Sequence, residues 1–242
     1  MGKDYQQLWV AATNATDGGQ ATHTMAEILA DTDGKVFLLR LDSNDVESCI
    51  EMLGDVSSNP RLPPSQPQAV SQGIAEHNLR PAENQAFFVM LGRLAERHGL
   101  LPSCMRIAGK VEVSGRLLAS NRFADLTTGT YGEHLVAIKT LRITARDDYV
   151  KIRKVSTGVG HPGYALSAIP IQRVCKGVVL WNTLSHPNIL KLVGVQEDMN
   201  NRQFSIVSEW MSNGNIMEFI ENNHANRLEL VRGITSPRHS LR

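Results

Sequence analysis

Apolar residues recur at helical spacing in the first part of the chain. Between residues 44 and 53 the repeat follows i, i+4 and i+7, and it is formed by Val46, Ile50 and Leu53, with Cys49 on the same side. This spacing predicts a short amphipathic helix. Asn44 and Glu47 have the spacing of a capping pair, which predicts Asn44 as the N-terminal cap. Residues 1–34 show no clear repeat, so residues 1–56 are predicted to form a partly helical N-terminal segment.

A proline-rich segment and a second helical pattern come next. Closely spaced prolines predict a linker over residues 57–80. A leader helix is predicted within residues 81–104, because Pro81 suits a first helical turn, Glu83 favours the positive end of the helix dipole and Gly99 follows the last apolar repeat. Its apolar face predicts a packing helix and is formed by Phe87, Leu91 and Leu94, with Phe88 and Ala95 beside them.

From about residue 105 the apolar period shortens. The stretches MRIAGKVEVSGRLL and EHLVAIKTLRI predict antiparallel strands, the second of them central because it is aliphatic and β-branched. KGVVLWNTL predicts the end of a helix, and LKLVGVQED with RQFSIVSEWM predicts a hairpin around the polar turn DMNNR. GNIMEFIENN and NRLELVRGI predict two further helices. The predicted order of elements is several strands, one helix, two strands and then helices. This order is typical of an α+β fold.

Composition and charge narrow the classes of partner. The 242 residues are 42% hydrophobic and 20% charged, with a formal net charge of +1, so we expect neither nucleic acid nor an anionic membrane as partner. No apolar run approaches the roughly 20 residues of a membrane helix. The three cysteines are widely spaced and form no C-x-x-C pair, which favours a reduced, intracellular protein, placed in the cytoplasm.

Three segments in order resemble one enzyme family. VAIK (Val136–Lys139) on a predicted strand matches the lysine element of protein kinases. LSHPNILKLVGV (Leu184–Val195) resembles the kinase segment between the regulatory helix and the fourth strand. FSIVSEWMSNGNIMEFI (Phe204–Ile220) resembles the fifth strand, the hinge and the next helix. Together they resemble the N-terminal lobe of tyrosine-kinase-like protein kinases, of a type expanded in fungi. The resemblance implies an antiparallel sheet with one regulatory helix over 105–242.

The resemblance also implies an ATP site. Its positions are Lys139, Ala137, Ser208, Glu209, Met211, Phe123 and Leu126. By analogy Lys139 contacts the α- and β-phosphates, and Ser208 is the gatekeeper behind the adenine. The backbones of Glu209 and Met211 offer hydrogen bonds to the adenine edge. Val136 or Ala137 lies over it, and Ala137 is the better match. Phe123 and Leu126 match the tip and the roof of the phosphate loop.

Several family elements are missing from the matching positions. The three loop glycines are replaced by Ala119, Asn121 and Ala124, which argues against a normal phosphate cradle. The glutamate that pairs with the strand lysine is replaced by Gly177. No HRD, DFG or APE motif occurs, so the resemblance implies neither a catalytic base nor Mg²⁺ ligands. We therefore expect no catalytic and no metal-binding residues, and a truncated kinase domain without its C-terminal lobe.

A glycine pattern in the third quarter of the chain invites a different interpretation. Residues 155–172 contain Gly158, Gly160 and Gly163 in the order G-x-G-x-x-G, but no buried strand precedes them and Pro162 lies inside the pattern. A dinucleotide site needs a strand before the glycines and a helix after them. Deleting 155–172 leaves one continuous predicted helix. We interpret this segment as an insertion, either translated intron sequence or a true surface loop.

Three functions remain open from the sequence. The first is a kinase-like chain with a residual ATP site at Lys139 and the 208–211 hinge. The second is a non-catalytic, pseudokinase-like module that binds another protein through the 82–97 helix and exposed C-terminal helices. The third is a product of incomplete splicing without a selected function. Stabilisation by nucleotide separates the first from the other two.

Overall fold

The computed structural model describes residues 3–57, 79–121, 123–141, 171–198, 203–223, 226–228 and 230. The helices before the sheet are α1 (Tyr5–Thr13), α2 (Gly18–Leu29), α3 (Thr32–Leu39), α4 (Ser43–Ser57) and α5 (Pro81–His98). The strands are β1 (Glu112–Ser120), β2 (Ala124–Tyr131), β3 (His134–Leu141), β4 (Leu192–Asp198) and β5 (Gln203–Glu209). Helix α6 (Ile171–Thr183) lies between β3 and β4, and α7 (Ile216–Asn223) follows β5.

Parts of the predicted organisation fall outside these residues. Of the predicted linker over 57–80, only Ser57, Leu79 and Arg80 are described. Residues 155–170 of the predicted insertion are not described, and most of the predicted helix in NRLELVRGI is not either. The last two residues of the predicted insertion, Ile171 and Gln172, lie in the first turn of α6. The proposed domain boundaries therefore stay predictions.

Aspartates begin the four N-terminal helices. The carboxylates of Asp4, Asp17 and Asp31 accept hydrogen bonds from backbone N–H groups in the first turns of α1, α2 and α3. Asp42 does the same for α4, accepting from the N–H groups of Asn44 and Asp45 at 3.0 Å. Such caps satisfy backbone donors that have no partner inside the helix. The expected cap at Asn44 was wrong, because the helix already begins at Ser43.

Helix α5 follows the predicted start and stop signals. It begins with Pro81 in its first turn, and the Glu83 carboxylate accepts from the Arg80 N–H at 2.8 Å. It ends at Gly99, whose φ of 65° is the left-handed conformation that glycine adopts most easily. The predicted apolar face is buried as Phe87, Leu91 and Leu94, so the packing role is confirmed and this face is not free for a partner protein.

The sheet has five antiparallel strands in the order β1-β2-β3-β5-β4. This confirms the α+β class and the predicted β4–β5 hairpin. The central strand is β3, which carries the VAIK residues as predicted. Strand β2 was not predicted as an element of its own, because Ala124–Leu126 were assigned to a phosphate loop and no strand was assigned to the residues that follow.

One hydrophobic core joins the helices to one side of the sheet. It includes residues of α1 to α6 and of four strands, among them Trp9, Met25, Leu53, Phe87, Cys175, Val178, Leu141, Val195 and Phe204. Helix α5 packs on α2 and α4 and also on α6. A smaller cluster of Val111, Val136, Ile138 and Val207 covers the opposite side of the sheet. Among the described residues, no helix is long and apolar enough to cross a bilayer.

Candidate nucleotide site

The sheet register brings four of the predicted site residues onto one face. Leu126 on β2 pairs with Lys139 on β3, and Ala137 pairs with Ser208 on β5. Paired residues share a side of the sheet, and so do residues two apart on one strand. Leu126, Ala137, Lys139 and Ser208 therefore lie on one surface, which we call the site face. Val136 and Ile138 point to the opposite side, into the smaller core.

Helix α6 covers only one end of the site face. Ala124, Leu141 and Phe204 are cross-strand neighbours on this face and belong to the main core together with α6 residues. Two positions along β3 from Leu141, the side chain of Lys139 is exposed. The end of the face that holds Lys139 and Ala137 is therefore left uncovered by the core.

Lys139 has no carboxylate partner within the described part of the chain. The residue at the expected glutamate position, Gly177, is exposed, and a Cβ added there would meet no atom within 4 Å. Helix α6 is instead tied to α5 by Lys176, whose Nζ lies 2.7 Å from Glu96 Oε2. The position of this helix thus does not depend on an ion pair with Lys139.

Paired strands form the two ends of the predicted phosphate loop. Strand β1 continues to Ser120 and β2 begins at Ala124, with Ser120 paired to Asp125. Asn121 Oδ1 accepts hydrogen bonds from the N–H groups of Phe123 at 2.8 Å and Ala124 at 2.9 Å. The backbone N–H of Asn121 donates to Ala124 O at 3.0 Å. Phe123 is thus at the turn, outside the paired register that aligns the site face.

The chain leaves β5 through a hinge-like segment. The N–H of Glu209 donates to Lys191 O and that of Trp210 donates to Leu135 O, both at 3.3 Å. The Met211 carbonyl accepts from Gly214 N–H at 3.2 Å, whereas no described residue accepts from the Met211 N–H. Ser208, at the end of the site face, is buried.

Backbone geometry separates the roles of the two hinge residues. Glu209 pairs with Val136, so its side chain lies on the opposite side of the sheet from Lys139 and only its backbone borders the site face. The Glu209 carbonyl receives a weak 3.5 Å contact from Ser208 Oγ. Met211 is 47% exposed, and no described residue accepts from its N–H.

The turn after α6 has a structural histidine. His186 Nδ1 accepts from the N–H of Asn188 at 3.0 Å, and His186 O accepts from Ile189 N–H at 2.9 Å.

Burial raises the pKa of Cys49 and of Cys175 to about 12. Both thiols are therefore protonated at neutral pH and are not nucleophiles.

Two features of the site were missed from the sequence. One is the capping of the β1–β2 turn by Asn121, although asparagine commonly accepts from N–H groups two and three residues ahead, as Asn121 does here. The other is the α5–α6 ion pair, whose partners are 80 residues apart. No local pattern marks a pair at that separation.

Comparison with known proteins adds little to this geometry. No family model matches the chain, and no curated protein matches it in sequence. A crystal structure of Rad53 1–466 in complex with AMP-PNP is similar at 18% identity with a TM-score of 0.34. The match covers 51% of this chain and 27% of that one, so this chain spans about a quarter of its length. A likeness of this size carries no argument about function.

Proposed function

We propose that this chain is a kinase-like module that binds the adenine ring of a nucleotide and whose own residues do not transfer phosphate. The finer assignment to tyrosine-kinase-like kinases of the fungal type rests on the motifs alone. The sheet order supports the proposal, because it places the VAIK lysine on the central strand beside the strand that leads into the hinge.

The observation that carries the proposal is the Met211 N–H. The N–H groups of Glu209 and Trp210 donate to the carbonyls of Lys191 and Leu135. The next residue is Met211, and no described residue accepts from its N–H. A binding site for a flat heterocycle needs such a donor beside an apolar surface. Leu126 and Ala137 supply that surface on the site face, and Ser208 lies beside Ala137.

Phosphoryl transfer is not part of the proposal. That reaction depends on a positioned base, on Mg²⁺ ligands and on charge stabilisation around the γ-phosphate. The sequence holds no HRD or DFG motif, and Gly177 cannot orient Lys139. The residues of the site face can hold and orient a ligand, and they include no group that could take a proton from a hydroxyl substrate.

Binding of adenosine and of ATP to the full chain tests the proposal, measured by thermal shift and by titration calorimetry. We expect both to bind, and Met211→Pro to weaken adenosine binding by up to about tenfold because it removes one hydrogen-bond donor. Lys139→Ala should weaken ATP binding by up to about fivefold. Lys110→Ala is the matched control, since it removes an exposed lysine outside the site. Failure of both ligands to bind would end the proposal.

A second function is favoured by the surface of α7. Its apolar residues include Ile216 and Met217, which are 54% and 50% exposed, and no residue of this helix is buried. An apolar helix face of this kind fits contact with another protein. A non-catalytic binding module would use this face and would not need the site face. Adenosine binding that is weakened in Met211→Pro but unchanged in an Ile216→Lys variant separates the two functions.

A further inference from the structure

Helices α5 and α6 pack side by side in opposite directions. Lys176 Nζ on α6 lies 2.7 Å from Glu96 Oε2 on α5. At the end of α5, a Cβ added to Gly99 would meet the side chain of Ile171, the first residue of α6, at 3.3 Å. Residues earlier in α5 therefore lie opposite residues later in α6. We call the surface along this contact the seam; it consists of residues 89–97 and 173–180.

The seam carries more cations than carboxylates. Arg93 and Arg97 are exposed and four residues apart on α5, and Arg173 is exposed three residues before Lys176 on α6. Residues three or four apart lie on the same side of a helix. Glu96 is the only carboxylate in these two described stretches, and it is paired with Lys176. The three arginines have no carboxylate partner among the described residues.

The helix dipole accounts for only one of these charges. Arg97 is in the last turn of α5, where the negative end of the dipole favours a cation. Arg93 lies one turn earlier, and Arg173 lies near the N-terminal end of α6, where the dipole does not favour a cation. No described ion pair accounts for Arg93 or Arg173, so both guanidinium groups are available to an external anion.

An apolar spot borders the basic part of the seam. Val89, one turn before Arg93 on α5, is 47% exposed, and Leu180, one turn after Lys176 on α6, is 53% exposed. Because the two helices run in opposite directions, both residues lie at the same end of the seam. Gly92, three residues after Val89, is buried, yet a Cβ added there would meet no atom within 4 Å. The packing therefore leaves room beside this spot.

We infer that the seam binds a short acidic segment of another protein, with one apolar side chain over Val89 and Leu180 and carboxylates on Arg93 and Arg173. Charge complementarity identifies this occupant, since unpaired arginines bind carboxylates through charge-assisted, often bidentate hydrogen bonds. From Val89 to Arg97 the seam is about 12 Å long, the length of about four extended residues. The inference does not depend on adenine binding, because the seam contains no residue of the site face.

Fluorescence anisotropy with the labelled peptide Glu-Asp-Phe-Glu-Asp tests the inference on the full chain. We expect binding at about 20 mM salt that weakens strongly at about 300 mM, because exposed ion pairs are screened. Lys-Lys-Phe-Lys-Lys should not bind. Glu-Asp-Ser-Glu-Asp should bind about threefold or more weakly, because it lacks the apolar anchor. No binding of the first peptide at low salt would overturn the inference, and equal binding of the serine peptide would overturn the apolar contact.

Variants of the seam locate the bound peptide. Arg93→Gln and Arg173→Gln should each weaken the acidic peptide by up to about fivefold, the effect of one exposed ion pair. Glu96→Gln removes the carboxylate of the seam and should tighten binding by up to about the same factor, a gain that misfolding cannot produce. Arg116→Gln removes an exposed arginine on β1 and is the matched control. Unchanged affinity in all three seam variants would place the peptide elsewhere and overturn the inference.

A second copy of this chain is the alternative occupant of the seam. Sedimentation of the chain without peptide tests it with the Arg93→Gln, Arg173→Gln double variant. We expect this variant to associate to the same extent as the wild type. A loss of association in the double variant would assign the seam to a second copy and overturn the inferred partner.

Discussion

Lys176 on α6 lies 2.7 Å from Glu96 on α5, measured from Nζ to Oε2. Helix α6 has the position in the chain that the kinase resemblance gives to the regulatory helix, and its expected glutamate is Gly177. The helix is therefore held from the side of α5, through this pair and through buried contacts, and not from the side of Lys139.

The Glu96–Lys176 pair should contribute modestly to stability. Both side chains are more than 40% exposed, and exposed ion pairs contribute about 0.2–1 kcal/mol. We expect Glu96→Gln and Lys176→Met each to lower the free energy of unfolding slightly, with a coupling energy in that range from the double-mutant cycle in urea. A coupling energy of zero would show that packing alone positions α6.

Loss of a core side chain in α4 should also destabilise the sheet. Leu53 is fully buried in the core that continues to β3 and β5, so Leu53→Ala should cost about 2–5 kcal/mol. Amide hydrogen exchange should accelerate in α4 and equally at Ile138 in β3. Val89→Ala, at a site 47% exposed on α5, is the control and should change little. Faster exchange in α4 with unchanged exchange in β3 would indicate independent units.

Two glycines should respond in opposite directions to the same substitution. Gly177 lies within α6 with open space around it, so Gly177→Ala should stabilise the protein by up to about 1 kcal/mol. At Gly129 in β2 an added Cβ would overlap the Glu112 carbonyl oxygen and the Ile138 side chain. Gly129→Ala should therefore be clearly destabilising, by about 1–3 kcal/mol. Thermal melts of the two variants, measured together, check both signs.

Stability should fall as the pH is lowered from 7 toward 5, in part through His98. This side chain is 8% exposed, and its Nε2 has no hydrogen-bond partner within the described structure. Burial, with a smaller effect of Arg97, lowers the pKa of His98 below its ordinary 6.5. The unfolded chain therefore binds a proton at this residue before the folded chain does, and unfolding becomes easier below about pH 6.5.

Urea unfolding of wild type and His98→Leu at pH 7 and pH 5 measures this effect. The variant cannot titrate at this position, so its loss of stability between the two pH values should be smaller than that of the wild type. An equal loss in both proteins would assign the pH dependence to other groups.

The apolar face of α7 should promote association. Ile216 and Met217 are half-exposed neighbours on one short helix, and exposed apolar patches favour contacts between chains. We expect concentration-dependent association in analytical ultracentrifugation, reduced in the Ile216→Lys, Met217→Lys double variant. Val10→Lys, at a similarly exposed single site on α1, should leave association unchanged. A wild-type chain that stays monomeric and melts cooperatively at high concentration would contradict this prediction.

Local signals in the sequence determined much of the secondary structure. Helix α5 begins and ends where Pro81 and Gly99 predict, and the apolar runs gave the β3 strand and the β4–β5 hairpin. These features are predictable because capping and apolar periodicity act within a few residues. Helices α1 to α3 were missed although Asp4, Asp17 and Asp31 mark their starts. None of them exceeds 12 residues, so their stability comes mainly from packing on other helices.

Tertiary structure decided how the candidate site is assembled. Leu126, Lys139 and Ser208 are far apart in sequence, and only the strand register places them on one face. A shift of one residue would turn each side chain to the other side of the sheet. The sequence by itself determined that a lysine stands on a central strand and that the loop glycines are absent. Only the folded sheet decides which of these residues share a surface, because that depends on the pairing between strands.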